Sequence, residues 1–157
     1  MRVLIGGVGY RNLRDESLGP YLADLLAERA DDGVEVEDLS YGPVAVSHAL
    51  RERPPYDRLV LVSAVRRGRS EGVIESYRWR RPPLSRDEIQ ARVAEAVAGV
   101  ISLDNLLIVC SALGGLPEDV RVVEVEPGPE CWGEGFSPAI EARLAEVIEA
   151  VWTSTEP

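Results

Sequence analysis

Two adjacent acidic residues, Asp15 and Glu16, follow an apolar segment and two glycines in the stretch VLIGGVGYRNLRDESLG. A carboxylate held at the carboxyl end of a central strand can bind a metal ion or a substrate. Acidic residues just before a helix also stabilise its N-terminus, typically by about 0.3–1 kcal/mol. The loop alone leaves both interpretations open, chemistry and helix capping.

Two nucleotide-binding interpretations of this loop fail on the residues present. A phosphate-binding P-loop requires a lysine, and all 17 basic residues of the chain are arginine. A dinucleotide fingerprint requires GxGxxG opening directly into a helix; Gly7 and Gly9 supply the first two glycines, but position 12 is Asn. The acidic pair would also repel a pyrophosphate. The sequence therefore excludes both kinds of nucleotide site.

Apolar runs that alternate with amphipathic segments predict an α/β fold. The predicted strands are 3–8, 34–40, 56–65, 72–79, 105–112 and 120–126, and the predicted helices are 18–30, 42–52, 84–101 and 137–152. We expect a three-layer αβα sandwich around a central, mostly parallel sheet of about five strands. The segment 34–40 alternates like an edge strand, and 72–79 is expected beside 56–65. One domain spans 1–152, followed by a frayed tail at 153–157.

Helix caps and loops complete this prediction. Ser85, with Glu88 three residues later, forms a capping box, and Ser137 precedes Pro138 at the start of the last helix. In sheets of this kind ligands bind beyond the carboxyl ends of the strands. The loops 9–18, 63–71 and 126–137 are therefore the expected location of a functional site.

Charge and hydropathy narrow the function classes. The 157 residues carry a net charge of −10, which argues against a general nucleic-acid binder. No apolar run approaches the roughly 20 residues of a membrane-spanning helix, and no secretory signal is recognisable, so we expect a cytoplasmic protein. Six arginines nevertheless fall between positions 66 and 81. That patch could bind an acidic partner segment or be a solvated surface.

Two motifs give the chain a family resemblance. The first is a strand followed by glycines and a D-E-x-x-G segment, and the second is GxGxSP opening the last helix. They are carried by Gly7, Gly9, Asp15, Glu16 and Gly19, and by Gly133, Gly135, Ser137 and Pro138. The chain resembles the hydrogenase maturation proteases over nearly its whole length, although Tyr10 stands where that family has Asn.

The resemblance implies an endopeptidase that removes the C-terminal extension of a [NiFe] hydrogenase large-subunit precursor or related metalloprotein. Nickel is then carried by the substrate, and no other cofactor is expected. The family recognises this nickel through a loop acid, an Asp ending the third strand and a His near a later helix. Glu16 matches the first and would be catalytic, whereas Ser63 and Asp87 stand at the other two positions. Gly7, Gly9, Asp15, Gly133 and Gly135 would contact the substrate.

These departures leave the activity open. Serine is a poor metal ligand, and Asp87 is a harder donor than imidazole that could also serve only to stabilise its helix. The sole histidine, His48, is expected on a short helix and partly exposed. A catalytically impaired relative, acting as a binding or accessory protein in metalloprotein maturation, is therefore an alternative. A third is a small-molecule hydrolase with Glu16 and Asp87 as its acid/base pair.

Overall fold

Five strands form one sheet in the computed structural model, which describes all residues from 1 to 157. They are β1 (Val3–Gly7), β2 (Val34–Asp38), β3 (Arg58–Ala64), β4 (Ile74–Arg78) and β5 (Asp119–Val125). Their spatial order is β2-β1-β3-β5-β4, and every neighbouring pair is parallel except β4 with β5. The predicted α/β fold with a mostly parallel sheet is confirmed, as is the edge position of 34–40.

Six helices cover the two faces of the sheet. They are α1 (Leu18–Ala27), α2 (Pro43–Glu52), α3 (Arg86–Val97), α4 (Leu103–Leu113), α5 (Pro138–Glu141) and α6 (Leu144–Thr155). Leu22 of α1 and Val147 of α6 pack with Ile5 on one face, and Leu107 of α4 packs with Leu4 on the other. Leu4 and Ile5 are consecutive, so the two-residue period of β1 feeds both layers. No helix is both long and apolar enough to cross a membrane.

The segment 105–112, predicted as a strand, is part of helix α4. The Ser102 hydroxyl accepts a hydrogen bond from the Asn105 N–H at 3.1 Å, and Gly114 ends the helix with a φ of +95°. Seven of the eleven residues of α4 are buried, because α2 and α3 pack against it on its sides. A helix without a polar face lacks the 3.6-residue period, so its sequence resembles that of a core strand.

The pairing expected for 72–79 was also wrong. β4 is antiparallel to β5, and the Trp79 N–H donates to the Val120 carbonyl at 2.8 Å. β5 lies between β4 and β3, and the crossover connection that the parallel β3–β5 pair requires contains α4. β5 therefore occupies the position beside β3 that had been expected for β4.

The end of the chain is more ordered than predicted, and its helix is divided. The predicted helix 137–152 consists of α5 and α6, and α6 continues through Thr155. Residues 153–155 of the expected frayed tail are thus helical, and the Arg58 guanidinium donates to the Ser154 carbonyl at 3.1 Å. The capping box of α3 is confirmed, since Ser85 and Glu88 exchange both of its hydrogen bonds.

Candidate functional site

A cavity of about 200 Å³ opens beyond the carboxyl ends of β1 and β3. Its walls come from the three loops expected to hold a site and from the start of α4, through residues that include Gly9, Glu16, Ser63 and Pro127. We call it the Glu16 pocket. Four larger hollows, of about 240 to 530 Å³, lie elsewhere, and Gly135 is the only predicted site residue that lines any of them.

Glu16 is held in this pocket by a short 3-10 helix, Arg14–Ser17. Its side chain is 15% exposed, and its Oε1 accepts a hydrogen bond from Arg66 Nη2 at 2.7 Å. Its Oε2 is buried and has no hydrogen-bond partner. A buried carboxylate oxygen without a donor is costly, so this atom has the capacity to bind a cation or a proton donor.

Gly9 sets the position of the 3-10 helix. A Cβ atom at Gly9 would lie 2.0 Å from the Glu16 carbonyl oxygen, which in the structure accepts the Tyr10 N–H at 3.0 Å. Any side chain at position 9 would therefore push the helix, and with it the Glu16 carboxylate, away from the end of β1. Tyr10 in turn crosses to the start of α4, where its hydroxyl accepts the Ile101 N–H at 2.8 Å.

Ser63 lines the same pocket but directs its hydroxyl inward. The residue is 3% exposed, and its Oγ donates to the Val8 carbonyl at 2.7 Å. This bond joins β3 to the end of β1. The structure thus brings Ser63 and Glu16 to one cavity, as the sequence predicts, while the Ser63 proton is already used within the fold.

Asp87 is not brought together with Glu16 and Ser63. It is exposed in the first turn of α3, where an acid favours the helix N-terminus, and it does not line the Glu16 pocket. Besides the three loops, the wall of the pocket is formed by the start of α4, with Ser102 and Asp104. No group of three or more acidic, histidine or cysteine residues could hold a metal ion. The arrangement also removes the basis for a Glu16–Asp87 acid/base pair.

Asp15 has an internal role rather than the predicted contact with substrate. It is 1% exposed, and its Oδ2 accepts hydrogen bonds from the Gly128 N–H and the Ser137 hydroxyl, each at 2.7 Å. Its Oδ1 accepts the Ser137 N–H, also at 2.7 Å. Asp15 therefore fixes the 126–137 loop and the start of α5 against the loop that carries Glu16. The Ser137 hydroxyl, predicted to cap the last helix, is used in this contact.

The predicted glycines also serve close packing. A Cβ at Gly7 would lie 2.0 Å from the Gly19 carbonyl oxygen, so strand and helix approach there more closely than any side chain allows. Gly133 has a φ of +137°, and a Cβ there would lie 2.8 Å from Arg14 Nε. Gly135 has a φ of +80° with open space around it, and of these three it alone could present backbone to a ligand.

The sequence analysis missed the charge network beside the pocket. Glu124, near the end of β5, and Glu126, just after it, have side chains that are 5% and 4% exposed. Glu124 pairs with Arg69 at 2.6 Å and with Arg67 at 3.1 Å, and Arg67 also binds Asp104 at 2.7 Å. Acidic residues that alternate with apolar ones, as in 119–125, are typical of an exposed edge strand. The sequence pattern therefore did not indicate that these two acids are buried. The clustered arginines were the available signal.

Glu126 organises the turn that carries Arg66. Its carboxylate accepts the N–H groups of Arg67 and Gly68, at 2.8 and 3.1 Å. Burial by itself raises the pKa of Glu126, but these bonds and the Arg69 guanidinium outweigh burial and hold the pKa below its usual value. The turn is thereby fixed where Arg66 reaches both Glu16 and the Gly128 carbonyl, the latter at 3.1 Å.

Comparison with known proteins places this fold. No protein-family model and no curated sequence matches the chain. The hydrogenase maturating endopeptidase HybD from E. coli matches with a TM-score of 0.71 at 22% identity, over 98% of this chain and 91% of that one. An endopeptidase from Escherichia coli matches with a TM-score of 0.70 at 25% identity, over 98% of this chain and 91% of that one. The maturation protease HycI from Thermococcus kodakarensis KOD1 matches with a TM-score of 0.65 at 19% identity, again over 98% of this chain and 91% of that one. The chain therefore has the fold of the [NiFe] hydrogenase maturation proteases.

Proposed function

We propose that this protein is an endopeptidase that removes the C-terminal extension of a [NiFe] hydrogenase large-subunit precursor, or of a related metalloprotein, in the cytoplasm. Two findings support the proposal. The fold is that of hydrogenase maturation proteases over almost the entire chain. The loop acid Glu16 also lies in a cavity at the carboxyl ends of β1 and β3, where sheets of this kind bind ligands.

The observation that carries the proposal is the unpartnered Oε2 of Glu16. A nickel ion already bound in the precursor is part of the substrate, and this oxygen is the atom of the pocket best suited to contact it. Contact would satisfy a buried acceptor that the fold leaves open. The Arg66 guanidinium, which donates to Oε1 of Glu16, would either remain beside the nickel as a second cation or move away from the carboxylate.

The chemistry then depends on the substrate metal. A bound metal ion can polarise a carbonyl oxygen or lower the pKa of a water molecule, and either route favours peptide hydrolysis. The chain itself contributes the orientation of Glu16, through Gly9 and the 3-10 helix, and the fixed loops around the cavity. Asp15 serves the reaction indirectly, since it joins two of these loops.

A second candidate function is that of an accessory protein that binds the precursor without cleaving it. Ser63 has no carboxylate, and its hydroxyl donates its hydrogen bond to the Val8 carbonyl. Asp87 lies outside the Glu16 pocket. The charge of Glu16 is moreover partly neutralised by Arg66. These features favour binding over catalysis, and they use the same surface.

One experiment separates the two functions. The protein is incubated with a nickel-loaded large-subunit precursor, and C-terminal cleavage is read by mass spectrometry. Cleavage by the wild type that Glu16→Gln abolishes, and that Glu28→Gln on the exposed end of α1 retains, supports the endopeptidase. Tight binding without cleavage supports the accessory protein. Absence of both binding and cleavage contradicts both.

A further inference from the structure

A second surface feature lies at the opposite end of the sheet from the Glu16 pocket. A groove of about 530 Å³ runs between segment 78–81, the end of α4 and the residues that lead into β5. We call it the arginine groove. The Glu16 pocket begins beyond the other end of β5, and the seven residues of that strand separate the two features by about 20 Å.

The arginine groove carries positive charge that the fold does not neutralise. Arg80 is exposed and forms no ion pair, and the Arg81 guanidinium has only the Ser111 carbonyl, at 3.3 Å. Arg78 reaches Asp119 at 3.3 Å, but Asp119 also binds Arg58 at 2.7 Å and Arg121 at 2.8 Å. One carboxylate is thus shared among three guanidiniums. This local excess of positive charge contrasts with the net charge of −10 of the whole chain.

The lining between these charges is partly apolar, and its apolar residues are half-buried or, for Val120, buried. Trp79, Leu116, Pro117 and Val120 line the groove beside Arg78, Arg80 and Arg81, and Glu118 is its only acid. Aromatic and arginine side chains together are the composition typical of protein-binding hot spots. We propose that the arginine groove binds an acidic peptide segment of a partner protein, whose carboxylates pair with Arg80 and Arg81 while an apolar side chain covers Trp79.

The observations favour a peptide over the other anionic ligands. A small anion such as phosphate is bound through converging, buried donors, whereas Arg80 and Arg81 are exposed and share the groove with the half-buried Trp79. A nucleic acid would meet the field of a protein with ten excess negative charges, and the groove provides only three arginines against it. A peptide can use both the charges and the accessible parts of Trp79 and Leu116. The inference does not depend on the proposed protease activity.

The test uses the full chain and a defined probe. The probe is a rhodamine-labelled octapeptide of glutamate with one central leucine, and its binding is followed by fluorescence anisotropy. We expect saturable binding at about 0.05 M salt that weakens at about 0.3 M. Arg80→Glu should weaken binding about fivefold, and Arg80→Glu with Arg81→Glu tenfold or more.

The matched control is Arg29→Glu at the end of α1, which makes the same change in net charge at another exposed, unpaired arginine. It should leave the affinity within about twofold. Equal weakening by Arg29→Glu and Arg80→Glu would overturn the proposal, because binding would then follow net charge alone. Equal binding of a lysine version of the peptide, displacement of the probe by inorganic phosphate, tighter binding of a thymidine oligonucleotide, or no saturable binding below about 1 mM would also overturn it.

Discussion

The arginine-rich segment 66–81 divides into two halves with opposite environments. Arg66, Arg67 and Arg69 lie at the carboxyl edge of the sheet, where each is paired with acids of the fold. Arg78, Arg80 and Arg81 lie at the other edge, where only Arg78 has an acidic partner, which it shares. The residue type is the same in both halves, so the difference comes from where the turn after β3 and the end of β4 place it.

The two halves of the segment therefore have different roles. Arg67 and Arg69 of the first half neutralise Glu124 and Glu126, which are nearly fully buried, and a buried carboxylate that loses its partner destabilises the folded state. The second half neutralises nothing that is buried, and its charge is available to another molecule. Mutations in the first half should therefore alter the folded state, and mutations in the second should alter binding.

Removal of Arg69 gives the largest expected effect on this comparison. Arg69→Leu leaves Glu124 with Arg67 and the Tyr77 hydroxyl and Glu126 with backbone donors alone, so we expect a loss of about 2–3 kcal/mol in the free energy of unfolding. Arg80→Leu should change it by less than about 0.5 kcal/mol. Urea denaturation at neutral pH measures both. Equal losses in the two variants would show that the halves do not differ in structural role.

The pH dependence of Glu126 gives an intermediate effect. Its pKa in the folded state lies below the ordinary value of 4.5, so its contribution to stability is complete above that value and is lost as the pH falls through the folded pKa. Glu126→Gln should be less stable than the wild type by about 1 kcal/mol at pH 7. Acidification should reduce this difference in the free energy of unfolding, because only the wild type has this carboxylate to protonate. Urea titrations from neutral to acidic pH follow the difference, and a constant difference would contradict the assigned hydrogen bonds.

The layers of the fold could be predicted because burial on both faces leaves continuous apolar runs in the central strands, as in LVLVS before Ala64. Helix α4 could not, since its burial removes the periodicity that distinguishes a helix from a strand. Glu16 and Ser63 were assigned to one site because both match positions at which the family resemblance places nickel-recognising residues. Asp87 was misplaced because its position rested on spacing from Ser85, whereas the pocket is closed by the next helix. Pairings such as Arg66 with Glu16 join residues fifty positions apart and have no local signature.

Arg66 gives the smallest expected effect and tests where the two roles meet. It belongs to the paired half, but its side chain is 49% exposed and its partner Glu16 is the proposed contact for substrate nickel. A half-exposed ion pair contributes little to stability, so Arg66→Gln should change the free energy of unfolding by under about 0.5 kcal/mol. If Arg66 competes with the substrate cation for Glu16, the variant should bind a nickel-loaded precursor about threefold more tightly, as measured by surface plasmon resonance. Arg29→Gln, at an exposed arginine outside both the Glu16 pocket and the arginine groove, is the control of equal charge. Weaker binding by Arg66→Gln alone would mean that Arg66 contacts the precursor directly.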